Sequence, residues 1–421
     1  MSKFTPKNCS APILGQLLSF IPPDLVKKSV DEFSADKWYK RVKTWDQFVF
    51  MTYGVLTGSS SLREIIKNFM LMGDNLAQCG IYSVAKRSSV SDANAKRNSQ
   101  VFGYLYTQLY EHYKKYLSDS YLCMPINGEV EPSKVHIFDS TVITLFKEVF
   151  KACGRLPLNG RKKGGLKAFT QIILSERVPN YICLKAAATN EKVFLSALDL
   201  AKGTIAVFDK GFQKFKQYDE WTQSGVFYVT RMNNNARFTI LKQRPLEDNC
   251  EYGVQNDVEV ELDYLCDQTG QRKTTVARLV TYIDPVSNKK FAFLTNIMDI
   301  KASTVSLLYM NRWTIEPLFR QIKQNFELTY FLADSTEGIK TQIWVVMILN
   351  LIFTVIHKMT KEAEDFSTMV KLAAKNAGSK VNLIHFLKMT TAQISACLDN
   401  LNNVQFELFP EISLPEYENS S

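Results

Sequence analysis

The residues best equipped for chemistry in this 421-residue chain lie in YMNRWTIEPLFRQIK, Tyr309 to Lys323. Tyr309, Arg312, Glu316 and Lys323 are spaced so that, at roughly 100° per residue, an α-helix would gather them within an arc of about 60°. One helix face would then present a phenol, a guanidinium, a carboxylate and an ammonium, while Leu318, Phe319 and Ile322 anchor the helix to a core. A lone carboxylate among cations suits a phosphate chain that carries a metal ion, although a solvated, mixed-charge face has the same pattern. Two upstream acids bear on that choice. Asp139 follows the β-type run Val135–Phe138, and Asp209 follows Ile205–Phe208. An acid at the end of a buried parallel strand is costly unless something pairs with it, although either one alone also suits a turn. With Glu316 they form a set of hard oxygen donors suited to two Mg²⁺ ions.

The spacing Tyr-x2-Arg-x3-Glu-x6-Lys, preceded by FDST and FDKGF, resembles the DDE transposases of the insertion-sequence four family. The resemblance covers roughly Val135 to Lys323. The segment from Ser34, SADKWYKRVKTWDQFVFMTYGVLTGSSSLREI, is similar to the amino-terminal region of some members. This resemblance implies a ribonuclease-H-like catalytic domain in which Asp139, Asp209 and Glu316 are both catalytic and metal-binding. Mg²⁺ is the implied cofactor, with Mn²⁺ as a substitute, and the two ions would stand about 3.5–4 Å apart. The implied reactions are cleavage at the element's ends and strand transfer into target DNA. Arg312 and Lys323 would hold phosphates, and Tyr309 would donate its hydroxyl to another phosphate oxygen. The implied partners are double-stranded DNA (terminal inverted repeats and target) and a second copy when two ends are synapsed. Two rivals remain, a catalytically idle DNA-binding relative and another ribonuclease-H-like nuclease such as a resolvase. The three intact acids speak against the first, and the Tyr-Arg-Glu-Lys spacing and a long insertion against the second.

The elements that must position these residues follow from periodicity. Residues 1–130 read as helical, with apolar spacing through Ile13–Leu18, Trp45–Leu56 and Val101–Tyr113. Ser61 and Glu64 form a capping-box signature for a helix over 62–72. Lys37, Lys40, Arg41 and Lys43 cluster with Trp38, Tyr39 and Trp45. Lys86 and Arg87 precede Ser88–Ser91, with Lys96 and Arg97 on the helix that follows. Both clusters suit phosphate contacts or a solvated helix face. Residues 1–75 are taken as a helical DNA-binding region and 76–130 as a further DNA-binding or linking one.

From about 131 the order is β-β-β-α-β-α-β, with strands at Val135–Phe138, Phe169–Leu174, Tyr181–Ala187, Ile205–Phe208 and Val226–Thr230. Helices are predicted over Lys192–Leu200 and Phe212–Thr222. This is the order of an α/β, ribonuclease-H-like mixed sheet, its first part spanning 131–230 and its second 301–375. Between the first two strands, the glycine-rich loop 151–167 holds Lys151, Arg155, Arg161, Lys162, Lys163 and Lys167, which suit a DNA backbone. The second Asp and the Glu are separated by 316 − 209 = 107 residues, so 231–300 reads as a β-rich insertion with strands Val258–Leu262, Thr275–Ile283 and Phe291–Thr295. Its leading cations, Arg231, Arg237, Lys242 and Arg244, are expected to meet DNA, and the acids that follow to face away. Pro317 is expected to kink or restart the helix of Glu316, and Trp313 is expected in the core rather than stacking on a base. Gln342–Lys358 should pack over the sheet. Residues 376–421 hold a helix from about Asn382 and an acidic tail.

Composition sets outer limits. A net charge of +9 is compatible with nucleic acid without demanding it. The eight cysteines show no CxxC pair and, with the four histidines, no zinc spacing. Reduced thiols in a cytoplasm are expected, a bacterial one by the resemblance. The apolar run Ile343–Ile356 is short of the ~20 residues a bilayer needs and contains Asn350, so no membrane span is expected.

Overall fold

A computed structural model of the chain describes residues 11–389, apart from 118–125, 127, 145–164, 177, 247–252, 266–269, 327 and 329, together with residues 392–393. Its centre is a sheet whose strands alternate between two buried faces. In β1 (Val135–Thr144), Val135 and Ile137 enter one core and Phe138 the other. In β4 (Ile205–Phe208), Ile205 and Val207 go with the first core, and Ala206 and Phe208 with the second. β5 (Phe227–Arg231) repeats the alternation with Val229 and Tyr228. Such two-sided burial is what a central, partly parallel sheet requires.

β2 (Gly165–Ile173) and β3 (Pro179–Ala186) add to β1 as antiparallel neighbours, whereas β4 and β5 run parallel to it. The order β3-β2-β1-β4-β5 is that of the ribonuclease-H-like sheet expected from the sequence. β1 is longer than the run Val135–Phe138, because antiparallel pairing with β2 continues to Thr144 after parallel pairing with β4 stops at Phe138.

The insertion does not form a sheet of its own. β6 (Thr239–Gln243), β7 (Val254–Leu265), β8 (Arg272–Ile283) and β9 (Lys290–Thr295) continue the same sheet, joined through antiparallel pairing of β9 with β5. β6 has no counterpart in the sequence reading, since all five of its residues are exposed and show no alternation. Arg244 is turned to structural use, bonding Glu259 at 2.8 Å and the carbonyl of Met298 at 2.6 Å. The expectation that it meets DNA is therefore corrected.

Helices cover the first face. The amino-terminal set is α1 (Ile13–Leu18), α2 (Pro23–Glu32), α3 (Thr44–Thr57), α4 (Leu62–Met72), α5 (Arg87–Lys96) and α6 (Gln100–Leu117). At the start of α4, Ser61 accepts from the Glu64 amide, but the Glu64 carboxylate answers to the amide of Ser60, one residue before the expected one. On the second face lie α7 (Glu191–Leu195) and α8 (Phe215–Ser224). α7 is shorter than the predicted 192–200. The predicted 212–222 helix is divided, Lys210–Phe212 forming a 3₁₀ turn that buries Phe212 before α8 begins.

After the sheet come α9 (Ala302–Met310), a 3₁₀ turn (Asn311–Thr314), α10 (Ile315–Asn325), α11 (Thr336–Met359), α12 (Phe366–Lys375) and α13 (Leu383–Leu387). α11 has the length and composition of a membrane span, yet 94% of its apolar window is buried. It packs against α3, α5 and α6 as a core helix and also meets α10 and α12, which ties the amino-terminal helices to the carboxyl-terminal ones.

Candidate active site

The sheet register builds the site. Ile137, Val207 and Val229 are paired across β1, β4 and β5 and all enter the first core. Two residues further along the chain stand Asp139, Asp209 and Arg231. With a period of two, these side chains emerge on the same face and in the same row, on backbones about 4.8 Å apart. Asp209 lies just past its strand, as expected. Asp139 lies inside β1 rather than at its end, but at the first position beyond the pairing with β4.

The Tyr309–Lys323 stretch closes over that row, though not as one helix. Tyr309 lies in the last turn of α9, Arg312 sits in the 3₁₀ turn, and Glu316 and Lys323 belong to α10. The single-face arc is therefore corrected. Pro317 is the physical reason: it is the third residue of α10, where a helix has no use for the missing N–H, so the helix starts afresh just before it. Leu318 and Ile322 are buried as expected. Trp313 is not a core residue: it is 37% exposed and meets Phe291 edge-on.

The four polar residues nevertheless converge on the strand row. The Tyr309 hydroxyl donates to Asp209 Oδ1 at 2.8 Å, with its ring stacked on Phe293. Arg312 uses its two amino groups separately, Nη1 to Asp139 Oδ2 and Nη2 to Glu316 Oε1, each at 3.2 Å. Arg231 approaches Asp209 Oδ1 at 3.7 Å. Lys323 Nζ donates to Thr141 Oγ1 at 2.7 Å. An open cleft of about 510 Å³ lies alongside, lined by Asp139, Glu316, Arg320 and Lys323 among others.

Burial dominates the electrostatics. It pushes the Asp139 carboxyl up to about 6, against the pull of the Ser140 amide and Arg312. Burial and the neighbouring Asp209 charge raise the Tyr309 phenol, which stays protonated as a donor. Burial works against the Arg312 charge, but Tyr309, Asp139, Asp209 and Glu316 more than offset it. Its Nε is buried with no hydrogen-bond partner.

The donor set fits a hard divalent cation in chemistry, consisting of carboxylates from adjacent strands and a facing helix. Among the described residues, however, no group of three or more Asp, Glu, His or Cys is close enough to hold a metal ion as placed. Arg312 stands between Asp139 and Glu316.

The model of the family described as "Transposase DDE domain" matches residues 131–351, about half of the chain and all of the row just described. The chain is a DDE transposase of the insertion-sequence four type. A family described as a domain of unknown function matches residues 10–82 of the transposase. A Sinorhizobium fredii protein that carries the name of a transposase is 25% identical over 265 residues, covering 62% of this chain and 68% of that one. A Synechocystis protein named for the insertion sequence element IS4SA is 24% identical, covering 86% and 96%. A Geobacillus stearothermophilus protein named for the element IS5377 is 20% identical, covering 56% and 60%. A solved piggyBac transposase synaptic complex with hairpin DNA aligns with 10% identity over 98% of this chain and 88% of that one. Its TM-score of 0.45 is too low to add to the assignment.

The other basic residues of the transposase singled out in the sequence lie in varied surroundings. Arg231 belongs to the acid row rather than to a remote part of the insertion, a placement that only strand register reveals. Arg237 is exposed on the connection into β6. Arg161, Lys162 and Lys163, with Lys151 and Arg155, lie outside the described residues. Lys167 lies within them and pairs with Glu191 at 3.3 Å. Arg97 is only 2% exposed and cannot meet a phosphate backbone. Glu191 has no counterpart among the residues expected from the sequence. It accepts from Ser140 at 2.8 Å and abuts Gly211, so it buttresses the backbone beside both aspartates from the opposite face. Its only sequence signal is an acid in the first turn of a short helix.

Proposed function

We propose that the transposase cuts the ends of its element and joins them to target DNA through Mg²⁺-dependent phosphoryl transfer, with Mn²⁺ as a substitute. Asp139, Asp209 and Glu316 would hold the cations. The observation that carries this reading is the shared row of Asp139 and Asp209 on adjacent strands, with Glu316 tied to Asp139 through one arginine. Bound cations would supply Lewis-acid stabilisation and activation of the attacking hydroxyl.

The chain's own residues then divide the remaining work. Arg312 exchanges its carboxylate contacts for a DNA phosphate, which is the better match to a planar guanidinium. That exchange releases oxygens of Asp139 and Glu316 for cations, so binding of DNA and of metal are coupled. Lys323, now on a hydroxyl and a carbonyl, supplies a point charge to the adjoining phosphate. Tyr309 keeps its proton and donates to Asp209 or to a phosphate oxygen. Arg231 offsets the negative charge gathered at Asp209. Arg237, with Arg161, Lys162 and Lys163 of the 151–167 loop, would contact the DNA backbone more remotely. Two element ends require two active sites, so the working form is a homodimer on double-stranded DNA, in the bacterial cytoplasm.

Incubating the purified protein with Mg²⁺ and a duplex carrying its own element's end tests this reading. Nicking should be abolished in Asp139→Ala and Glu316→Ala while duplex binding is retained. Equal nicking by either variant would refute the assignment.

A further inference from the structure

The short helix α7 reaches the backbones of both aspartates from the side of the sheet opposite the acid row. Phe194 anchors it in the second core, stacked on Phe169 at 4.8 Å between ring centres and edge-on to Phe138 at 6.3 Å, with Phe212 also at 6.3 Å. Phe138 directly precedes Asp139, and Phe212 lies in the 3₁₀ turn that follows Asp209. Glu191 stands three residues before Phe194 and shares its helix face, so it is aimed at the same two backbones.

Each oxygen of the Glu191 carboxylate meets one of them. Oε1 accepts from the Ser140 hydroxyl at 2.8 Å and from Lys167 at 3.3 Å. Ser140 in turn donates its amide to Asp139 Oδ1 at 2.8 Å, so the acid of β1 is held through its neighbour. Oε2 fills the space that a Cβ on Gly211 would need, two residues past Asp209. Gly211 does not have a positive φ, so its backbone does not call for glycine. Apart from its chain neighbours, nothing else among the described residues lies within 4 Å of that Cβ position. The carboxylate alone accounts for the glycine. Ser140 and Asp139 alternate across the strand, so Glu191 is on the wrong face to be a metal ligand itself.

We infer that Glu191 is a positioning residue that sets how far apart the Asp139 and Asp209 carboxylates stand, and thereby how tightly they hold a divalent cation, a role that rests on their proposed metal binding. It fixes one acid through Ser140 and the other through the turn at Gly211. Mg²⁺ demands near-ideal octahedral geometry at about 2.0–2.1 Å, so a small displacement of either backbone is felt at the metal. Groups behind metal ligands act in this way by fixing the orientation of the ligands in front of them.

The test is calorimetric titration of Mn²⁺ into full-length protein bound to already cleaved end DNA, which leaves no bond to cut during the measurement. Glu191→Ala should weaken Mn²⁺ binding about tenfold or more, in the range for losing a residue behind the ligands. Its affinity for the duplex in metal-free buffer should stay at the wild-type value. Glu191→Gln keeps an oxygen for Ser140 and should lie closer to the wild type than Glu191→Ala does. Gly211→Ala should weaken Mn²⁺ binding as well, because the added methyl displaces Oε2. Combining it with Glu191→Ala should cost nothing further, since the collision is then gone. A merely structural buttress would lower the melting temperature and leave the Mn²⁺ affinity of the folded protein unchanged, which would overturn the inference. Additive losses in the double variant would overturn it too. Unchanged affinity in Gly211→Ala would do so even if Glu191→Ala failed to fold. A wild type that binds no Mn²⁺ would sink the metal-binding reading along with it.

Discussion

Two arginine–carboxylate systems are anchored on one continuous sheet, and they are built to different ends. In the insertion, Arg278 and Asp257 are each 2% exposed. Arg278 meets both carboxylate oxygens, at 2.9 and 2.7 Å, and donates to the carbonyls of Ile297 and Ile300. In the catalytic half, Arg312 splits itself between two acids at 3.2 Å each, keeps a buried Nε without a partner, and borders an open cleft. The first arginine is satisfied and sealed. The second is held by longer, divided contacts beside open solvent, the arrangement that the proposed exchange of carboxylates for a phosphate requires.

The sharpest way to break this contrast is to remove one cation from each. Arg278→Ala should destabilise the fold by about 3–5 kcal/mol in a denaturant titration, because it strands a buried carboxylate. Replacing both partners, Arg278→Met with Asp257→Leu, should recover most of that loss. If Arg278→Ala costs less than Arg312→Ala, the distinction between sealed and exchangeable pairs is wrong.

Asp139→Asn should act in the opposite direction and stabilise the protein. The carboxyl titrates near 3.8 in an unfolded chain but near 6 in the fold. Between those values the folded state binds the proton more tightly, so this group's contribution to stability declines as pH rises through them. The ceiling is roughly 3 kcal/mol at 1.36 kcal/mol per unit, and because the amide keeps only part of the carboxylate's bonding to Arg312 the gain at pH 7.5 should fall below it. The gain should vanish near pH 4, and thermal melts across that range would show it. A variant that destabilises at pH 7.5 would contradict the burial account.

The smallest expected change is at the rim. Lys323→Ala should alter stability by no more than about 0.5 kcal/mol, since Lys323 is exposed, yet it should slow nicking of end DNA measurably. A loss of nicking explained wholly by unfolding would remove Lys323 from the DNA-contacting group.

How far the sequence reveals this arrangement follows from what each signal reports. Ile205–Phe208 is a short apolar run with Asp209 immediately after it, and periodicity finds both. Asp139 is found as an acid but misplaced relative to its strand, because pairing partners, not composition, decide how far β1 continues. Arg231 and Glu191 gain their positions from register and from a crossing backbone, neither of which leaves a local pattern. Trp313, expected in the core, is turned outward by the 3₁₀ turn that Pro317 helps to impose. β6 carries no alternation because both of its faces are exposed.

Calorimetric titration of Mn²⁺ into the transposase bound to uncleaved end DNA tests the central claim most directly. Two ions should bind per active site in the wild type, with the higher-affinity site lost in Asp139→Asn and in Asp209→Asn although DNA remains bound. Unchanged Mn²⁺ stoichiometry and affinity in those variants would contradict the account.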